Sequence, residues 1–167
     1  KMGLKYDLTE IYKAENGQTN LVDITVHKHN GELVALEEKI YARPFPGLNI
    51  DNLPLFGIIA AVARGRTLIH DWVYEDRAIY FTELRKLNVN VSLVDPHRVY
   101  IDGPTKFSAA DVTCPPALRP AIIILLGMLA APGTSVLRNV YSINRGYEGF
   151  ADRLNALGAD IEVMHDF

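Results

Sequence analysis

"LFGIIAAVARGRTLIHDWVYEDRAIYFTELRKLNVNVSLV" (Leu55–Val94) decides the fold, because the chain writes it twice. The second version is "IIILLGMLAAPGTSVLRNVYSINRGYEGFADRLNALGADIEV" (Ile122–Val163). Gly65 pairs with Gly133 and Arg77 with Arg145, 68 residues on in both cases. Further along, the second copy gains two residues, so Leu84 pairs with Leu154 and Leu87 with Leu157. Self-similarity at a fixed spacing marks a supersecondary unit used more than once.

Each copy reads alike. An apolar helix stops at a glycine. A short strand follows ("TLIHDWV", "TSVLRNV"). The spacing then predicts an amphipathic helix with Ile79, Leu84 and Leu87, or Phe150, Leu154 and Leu157, on its buried face. An alternating strand comes last ("VNVSLV", "ADIEVM"), and the first copy adds "RVYIDG" after a turn at Asp95-Pro96, a hairpin signal. A strand leads into each copy ("KIYARPF", "FSAADVT"). Upstream, "LKYDLTE" reads as a strand and "VDITVHKHNGELVALEEKIYARPF" as paired strands, the tail of an earlier unit, with "EIYKAENGQTN" a loop between them. The expected divisions are 1–44, 45–105 and 106–167. The chain is expected to start partway through a unit, with exposed sheet edges that favour self-association.

The totals bound the function. A chain of 167 residues fits one ordinary domain. A net charge of −3 offers no basic excess for nucleic acid. The single cysteine, Cys114, excludes an internal disulfide and fits a reducing cytoplasm; it sits just before an apolar helix and reads as a buried structural thiol. The N-terminal residues are polar and show no signal-peptide pattern. The apolar run "AIIILLGMLAA" (Ala121–Ala131) is shorter than the ~20 residues of a membrane span and reads as a buried helix. His27 and His29 share a strand face, but no third ligand accompanies them, so no metal site is expected. Trp72 reads as an ordinary half-buried aromatic, Glu37 and Glu38 as solvated, and no phosphate-binding glycine loop occurs.

Charge placement is less ordinary. Arg77 and Arg145 open the two predicted amphipathic helices, and Arg119 precedes the second apolar helix, 68 residues after Asp51 before the first. An arginine opposes the partial positive charge at a helix N-terminus. An external anion would resolve the conflict, since helix N-termini and guanidinium forks both bind carboxylate and phosphate. The competing reading pairs each arginine with a nearby acid such as Glu75, Asp76 or Glu148. Asp51, with Pro54 in the first turn, also fits a plain helix cap.

The run "NIDNLPLFGIIAAVARG … VYEDRAIYFTELRKLN … ALRPAIIILLGMLAAPG … NRGYEGFADRLNALGADIEV", from about Ala42 to Val163, resembles the C-terminal part of the UDP-N-acetylglucosamine enolpyruvyl transferases, relatives of the shikimate-pathway enolpyruvyl transferase. "RGYEGFADRLNALGA" is its most specific piece. The resemblance implies an inside-out α/β barrel of repeated βαβαββ units, with helices central and sheets outside, of which this chain holds about two units and the end of another. It implies a cytoplasmic enzyme of peptidoglycan precursor synthesis that needs no cofactor. Such an enzyme moves the enolpyruvyl group of phosphoenolpyruvate to the 3-hydroxyl of UDP-N-acetylglucosamine and releases phosphate. By motif position, Asp51 matches the aspartate at the acceptor hydroxyl, the candidate base. Arg77, Arg119 and Arg145 match arginines on the phosphoenolpyruvate side, and Val73 and Tyr74 match contacts to the nucleotide sugar. The family's remaining site residues lie in an N-terminal half outside this sequence, so the isolated chain is expected to be inactive. Ala117 stands where the family has an acid, "LNID" replaces its Phe-Pro-Thr-Asp, and "EDR" its Glu-Asn-Arg. These departures keep open a different acceptor, or a non-catalytic anion- or nucleotide-binding module. A relationship to RNA 3′-phosphate cyclases is disfavoured by the acidic charge.

Overall fold

The computed structural model describes residues 1–28 and 31–164. Its centre is an open four-stranded sheet in the order β5 (Ile40–Tyr41), β6 (Gly65–His70), β8 (Arg98–Gly103), β7 (Asn90–Asp95). β5 runs parallel to β6, and β8 is antiparallel to both its neighbours. The β7–β8 hairpin turns at Asp95-Pro96, as the sequence predicts. Alternation sends Thr67, Ile69, Val91, Val99 and Ile101 inward, all buried, and turns Arg66, Ser92 and Arg98 to solvent.

Helices cover the inner face. α1 (Phe56–Val62), entered through a 3-10 turn at Leu53–Leu55, packs on β8. α2 (Leu118–Ala130) packs against α1 and buries Pro120 to Ile124, Gly127 and Met128. A helix buried on most of its circumference explains the unbroken apolar run. Among the described residues, no helix is long and apolar enough to cross a membrane.

The segment Arg77–Leu87 forms along its expected length but as a 3-10 helix. Its buried residues are Ala78, Phe81, Leu84 and Leu87, spaced by three, the period of that helix. Ile79, expected inside on an α-helical count, is therefore 46% exposed.

The second copy departs further. Its leading pair recurs, with β9 (Asp111–Thr113) parallel to β10 (Val136–Arg138) as β5 is to β6. The expected single helix is instead two short ones, α3 (Tyr141–Gly146) and α4 (Phe150–Ala156). Tyr147 is extended and Gly149 sits at φ 53°, which breaks the helix between them. Arg145 therefore lies in the last turn of α3 rather than at a helix start, where a cation suits the helix dipole. Phe150 and Leu154 are half-buried and Leu157 is 85% exposed, so the predicted buried face of this helix is not realised. "ADIEVM" forms no strand among the described residues; the Asn155 amide takes the backbone N–H and C=O of Ile161 instead.

Upstream, β1 (Tyr6–Leu8) pairs with β4 (Ile24–Val26). The expected loop contains a small hairpin, β2 (Tyr12–Lys13) with β3 (Asn20–Leu21), its turn held by Asn16. Tyr6, Leu8, Ile24 and Val26 share one face of the β1–β4 pair and are all more than half exposed, whereas the inner face of β7–β8 is covered by helices. His27 bonds to Asp7 Oδ2 at 2.6 Å; His29 lies outside the described residues. Cys114 is buried, its Sγ 3.3 Å from Ser142 Oγ.

Gly103 is where helix and sheet meet most closely. A Cβ there would collide with the carbonyl oxygens of Ala60, Ala61 and Ala63 at the end of α1. Gly103→Ala is expected to destabilise the fold by roughly 1–3 kcal/mol, more than Gly17→Ala, where space is open and the cost is only the strain of an alanine at φ 68°. Thermal unfolding of both variants checks this.

Candidate functional site

A cavity of about 440 Å³ opens where the two copies meet, its wall including Asp51, Tyr74, Arg77, Tyr80, Ala117 and Arg119. That volume suits a small metabolite. The segment before α1 brings Asp51, the first residue of the 3-10 helix is Arg77, and the first turn of α2 carries Arg119. Three residues distant in sequence thus converge.

Asp51 does not cap a helix. Asn52 and Leu55 hold the two N-cap positions and neither makes a side-chain cap bond. The Asp51 carboxylate points across the cavity instead: Oδ1 lies 3.4 Å from Arg119 Nη2 and 3.9 Å from Arg77 Nη2. The acid within 4 Å of both arginines is therefore neither Glu75, Asp76 nor Glu148 but Asp51.

These contacts are long for charged partners. On the outer surface, Arg138 grips Asp111 through bonds of 2.8 and 2.6 Å, and Arg66 grips Asp102 at 2.6 and 3.1 Å. The Arg138 bonds hold the Asp111 carboxyl below its ordinary titration range. In the cavity, Arg77 Nη2 reaches the Ile50 carbonyl only at 3.5 Å and Arg119 Nη1 the Tyr147 hydroxyl at 3.4 Å. Arg119 Nε is buried without a hydrogen-bond partner. The site guanidiniums are poorly saturated, the condition under which an added carboxylate or phosphate gains most.

Tyr74 lies in the wall with the Arg77 guanidinium stacked 4.7 Å from its ring centroid. Val73 faces a separate cavity of about 390 Å³, which it lines with Arg43, Phe45 and Trp72. Trp72 is half-exposed and donates its indole N–H to the Ala42 carbonyl at 2.9 Å. Arg145 is exposed, outside the wall, with its guanidinium 6.0 Å from the Tyr141 ring centroid. Tyr147, which meets Arg119, is two residues beyond it.

The sequence reading missed Asp71. It is buried, its Oδ2 is 3.4 Å from Arg77 Nε, and its Oδ1 accepts the N–H groups of Val73 and Tyr74. A carboxylate at the end of the strand run "TLIHDWV" was the available signal. Among the described residues, no group of three or more potential ligands forms a metal site.

Asp51 lies within 4 Å of both arginines, so its charge competes with an added anion for them. Asp51→Asn is expected to tighten binding of inorganic phosphate about fivefold, roughly the 1 kcal/mol of a half-exposed ion pair. Calorimetric titration of both proteins reads this directly; unchanged affinity would remove Asp51 as a competitor.

A family described as EPSP synthase (3-phosphoshikimate 1-carboxyvinyltransferase) matches residues 2–154. The chain is 33% identical over 134 residues to a UDP-N-acetylglucosamine 1-carboxyvinyltransferase of Treponema denticola, covering 80% of this chain and 31% of that protein. It is 39% identical over 124 residues to the enzyme of the same name from Porphyromonas gingivalis, covering 72% and 28%. The chain thus spans under a third of the length of these relatives. Among solved structures, it superposes on the enolpyruvyl transferase NikO from Streptomyces tendae with a TM-score of 0.75 at 28% identity, over 95% of this chain and 33% of that one. An EPSP synthase from Acinetobacter baumannii shares the fold, with a TM-score of 0.76 at 20% identity over 98% and 38%. With the match running through nearly the whole described chain, this protein belongs to the EPSP synthase family of enolpyruvyl transferases.

Proposed function

We propose that the chain forms the C-terminal part of an enzyme transferring the enolpyruvyl group of phosphoenolpyruvate to the 3-hydroxyl of UDP-N-acetylglucosamine. The observation that carries the reading is the convergence of Arg77 and Arg119 on Asp51 in one cavity. In the proposed reaction Asp51 takes the proton of the acceptor hydroxyl as its oxygen bonds to C2 of phosphoenolpyruvate, while C3 gains a proton from solvent, to which the C3 proton lost in the next step returns. The tetrahedral adduct then loses a C3 proton and breaks its C2–O bond to phosphate, restoring the double bond. Arg77 and Arg119 hold the carboxylate and phosphate, where charge grows as the leaving group departs. Arg145 joins them from the α3 side, and Val73 and Tyr74 contact the nucleotide sugar. No cofactor is required.

The same proposal includes three units, 1–44, 45–105 and 106–167, in an inside-out barrel completed by sequence that the relatives have and this chain does not span. The recurrence of the parallel pairs β5–β6 and β9–β10 supports the units. The exposed face of β1–β4 supports a covering partner, whether the rest of the enzyme or a second copy. A cytoplasmic place in peptidoglycan precursor synthesis follows from the proposed substrates. One observation favours a second reading, an enolpyruvyl transferase with another acceptor: the cavity wall carries Ala117 where an acid was expected.

The test joins this chain to the upstream two-thirds of the Treponema denticola relative. The hybrid is expected to release phosphate from phosphoenolpyruvate when UDP-N-acetylglucosamine is added, Arg119→Ala to slow release about 10²–10³-fold, and the chain alone to release none. Turnover by the chain alone, or none by the hybrid with this acceptor, contradicts the proposal.

A further inference from the structure

Asp71 follows β6 directly, with 1% of its surface exposed. Its backbone is clamped to the β7–β8 turn: its N–H donates to the His97 carbonyl at 2.8 Å, and its carbonyl accepts from His97 Nδ1 at 2.9 Å. From that fixed base its carboxylate reaches three site residues. Oδ1 accepts the N–H groups of Val73 and Tyr74, both at 3.3 Å, which sets the turn that lays Tyr74 beneath Arg77. Oδ2 makes no conventional hydrogen bond and faces Arg77 Nε at 3.4 Å.

We propose that Asp71 is the positioning residue of the anion site, holding Arg77 by its Nε edge so that Nη2 is presented to the cavity. The proposal rests on the reading of that cavity as the phosphoenolpyruvate site. Arg77 is only 11% exposed; besides Asp71 it meets the Tyr74 ring, the Ile50 carbonyl at 3.5 Å and Asp51 at 3.9 Å, and of its two charged partners Asp71 is the nearer and the buried one. The second copy supplies the contrast. The residue directly after β10, six before Arg145 as Asp71 is six before Arg77, is Asn139. Asn139 is exposed, and among the described residues no ion pair joins Arg145, which is exposed too. Where the buried carboxylate is replaced by an amide, the arginine is not held.

Direction separates positioning from plain electrostatics. Removing a negative charge beside Arg77 raises the positive field, so a purely electrostatic Asp71 would weaken anion binding and its loss would tighten it. A positioning Asp71 predicts the opposite, because a wandering guanidinium loses the pre-set geometry of bidentate recognition. In Asp71→Asn, which keeps an acceptor for Val73 and Tyr74, phosphoenolpyruvate is expected to bind about three- to tenfold more weakly. The Arg77 Nε–H signal, followed by NMR in the ligand-free chain, is expected to exchange with water about tenfold faster. Unchanged exchange, or equal or tighter binding, overturns the proposal. If the wild-type chain binds no phosphoenolpyruvate but exchange at Arg77 accelerates, Asp71 keeps its positioning role and the reading of the cavity falls. Should Asp71→Asn fail to fold, Asp71→Asn with Arg77→Met is decisive: recovery of a cooperative unfolding transition supports the coupling, and continued failure to fold overturns it.

Discussion

A carboxylate removed from water carries a desolvation cost of several kcal/mol unless a charge and hydrogen bonds offset it. Asp71 is such a group, and the mouth of the cavity is built from what offsets it: two backbone N–H groups from the Val73–Tyr74 turn and the Arg77 guanidinium. Its backbone links to His97 fix the same point to the tip of the β7–β8 hairpin, and the Ala78 N–H is held to the Pro96 carbonyl alongside. The start of the 3-10 helix, the end of β6 and the hairpin turn therefore meet at one buried charge. Beyond it, charges alternate across the cavity from Asp71 to Arg77, Asp51 and Arg119.

Burial, rather than distance, is graded along the alternation. Asp71 and Arg77 are nearly sealed, whereas Asp51 is half exposed. Surface pairs such as Arg138 with Asp111 already hold a carboxylate in the two-bond fork that an external anion would use. The cavity does the reverse, keeping guanidinium donors under-used in a partly desolvated setting where an incoming anion is attracted most strongly.

Much of this was legible in the residues. The strands flanking each apolar helix, the β7–β8 hairpin and the buried run of α2 were legible because period and turn chemistry are local; the parallel pairing of β5 with β6 and of β9 with β10 was not. Asp51, Arg77 and Arg119 could be grouped because they sit at matched places around the repeat. The 3-10 geometry of Arg77–Leu87 was not legible: a helical count cannot tell a period of 3.0 from 3.6 over three turns, so Ile79 was placed inside in error. Arg145 was misassigned to a helix start because the break between α3 and α4 depends on Gly149 adopting a left-handed backbone, which glycine permits but does not announce. Asp71 stayed hidden because its burial is a tertiary fact; in sequence it is one acid at the end of a strand.

The central claim is that Arg77 and Arg119 form an anion site which Asp51 only partly satisfies. The most direct measurement follows the guanidinium NMR signals of Arg77, Arg119, Arg66 and Arg138 while phosphoenolpyruvate is added to the wild-type chain. The account predicts saturable shifts at Arg77 and Arg119 with Arg66 and Arg138 unmoved, since those two already hold bidentate carboxylates. Equal, unsaturated drift at all four, or a response confined to the surface pairs, would contradict it.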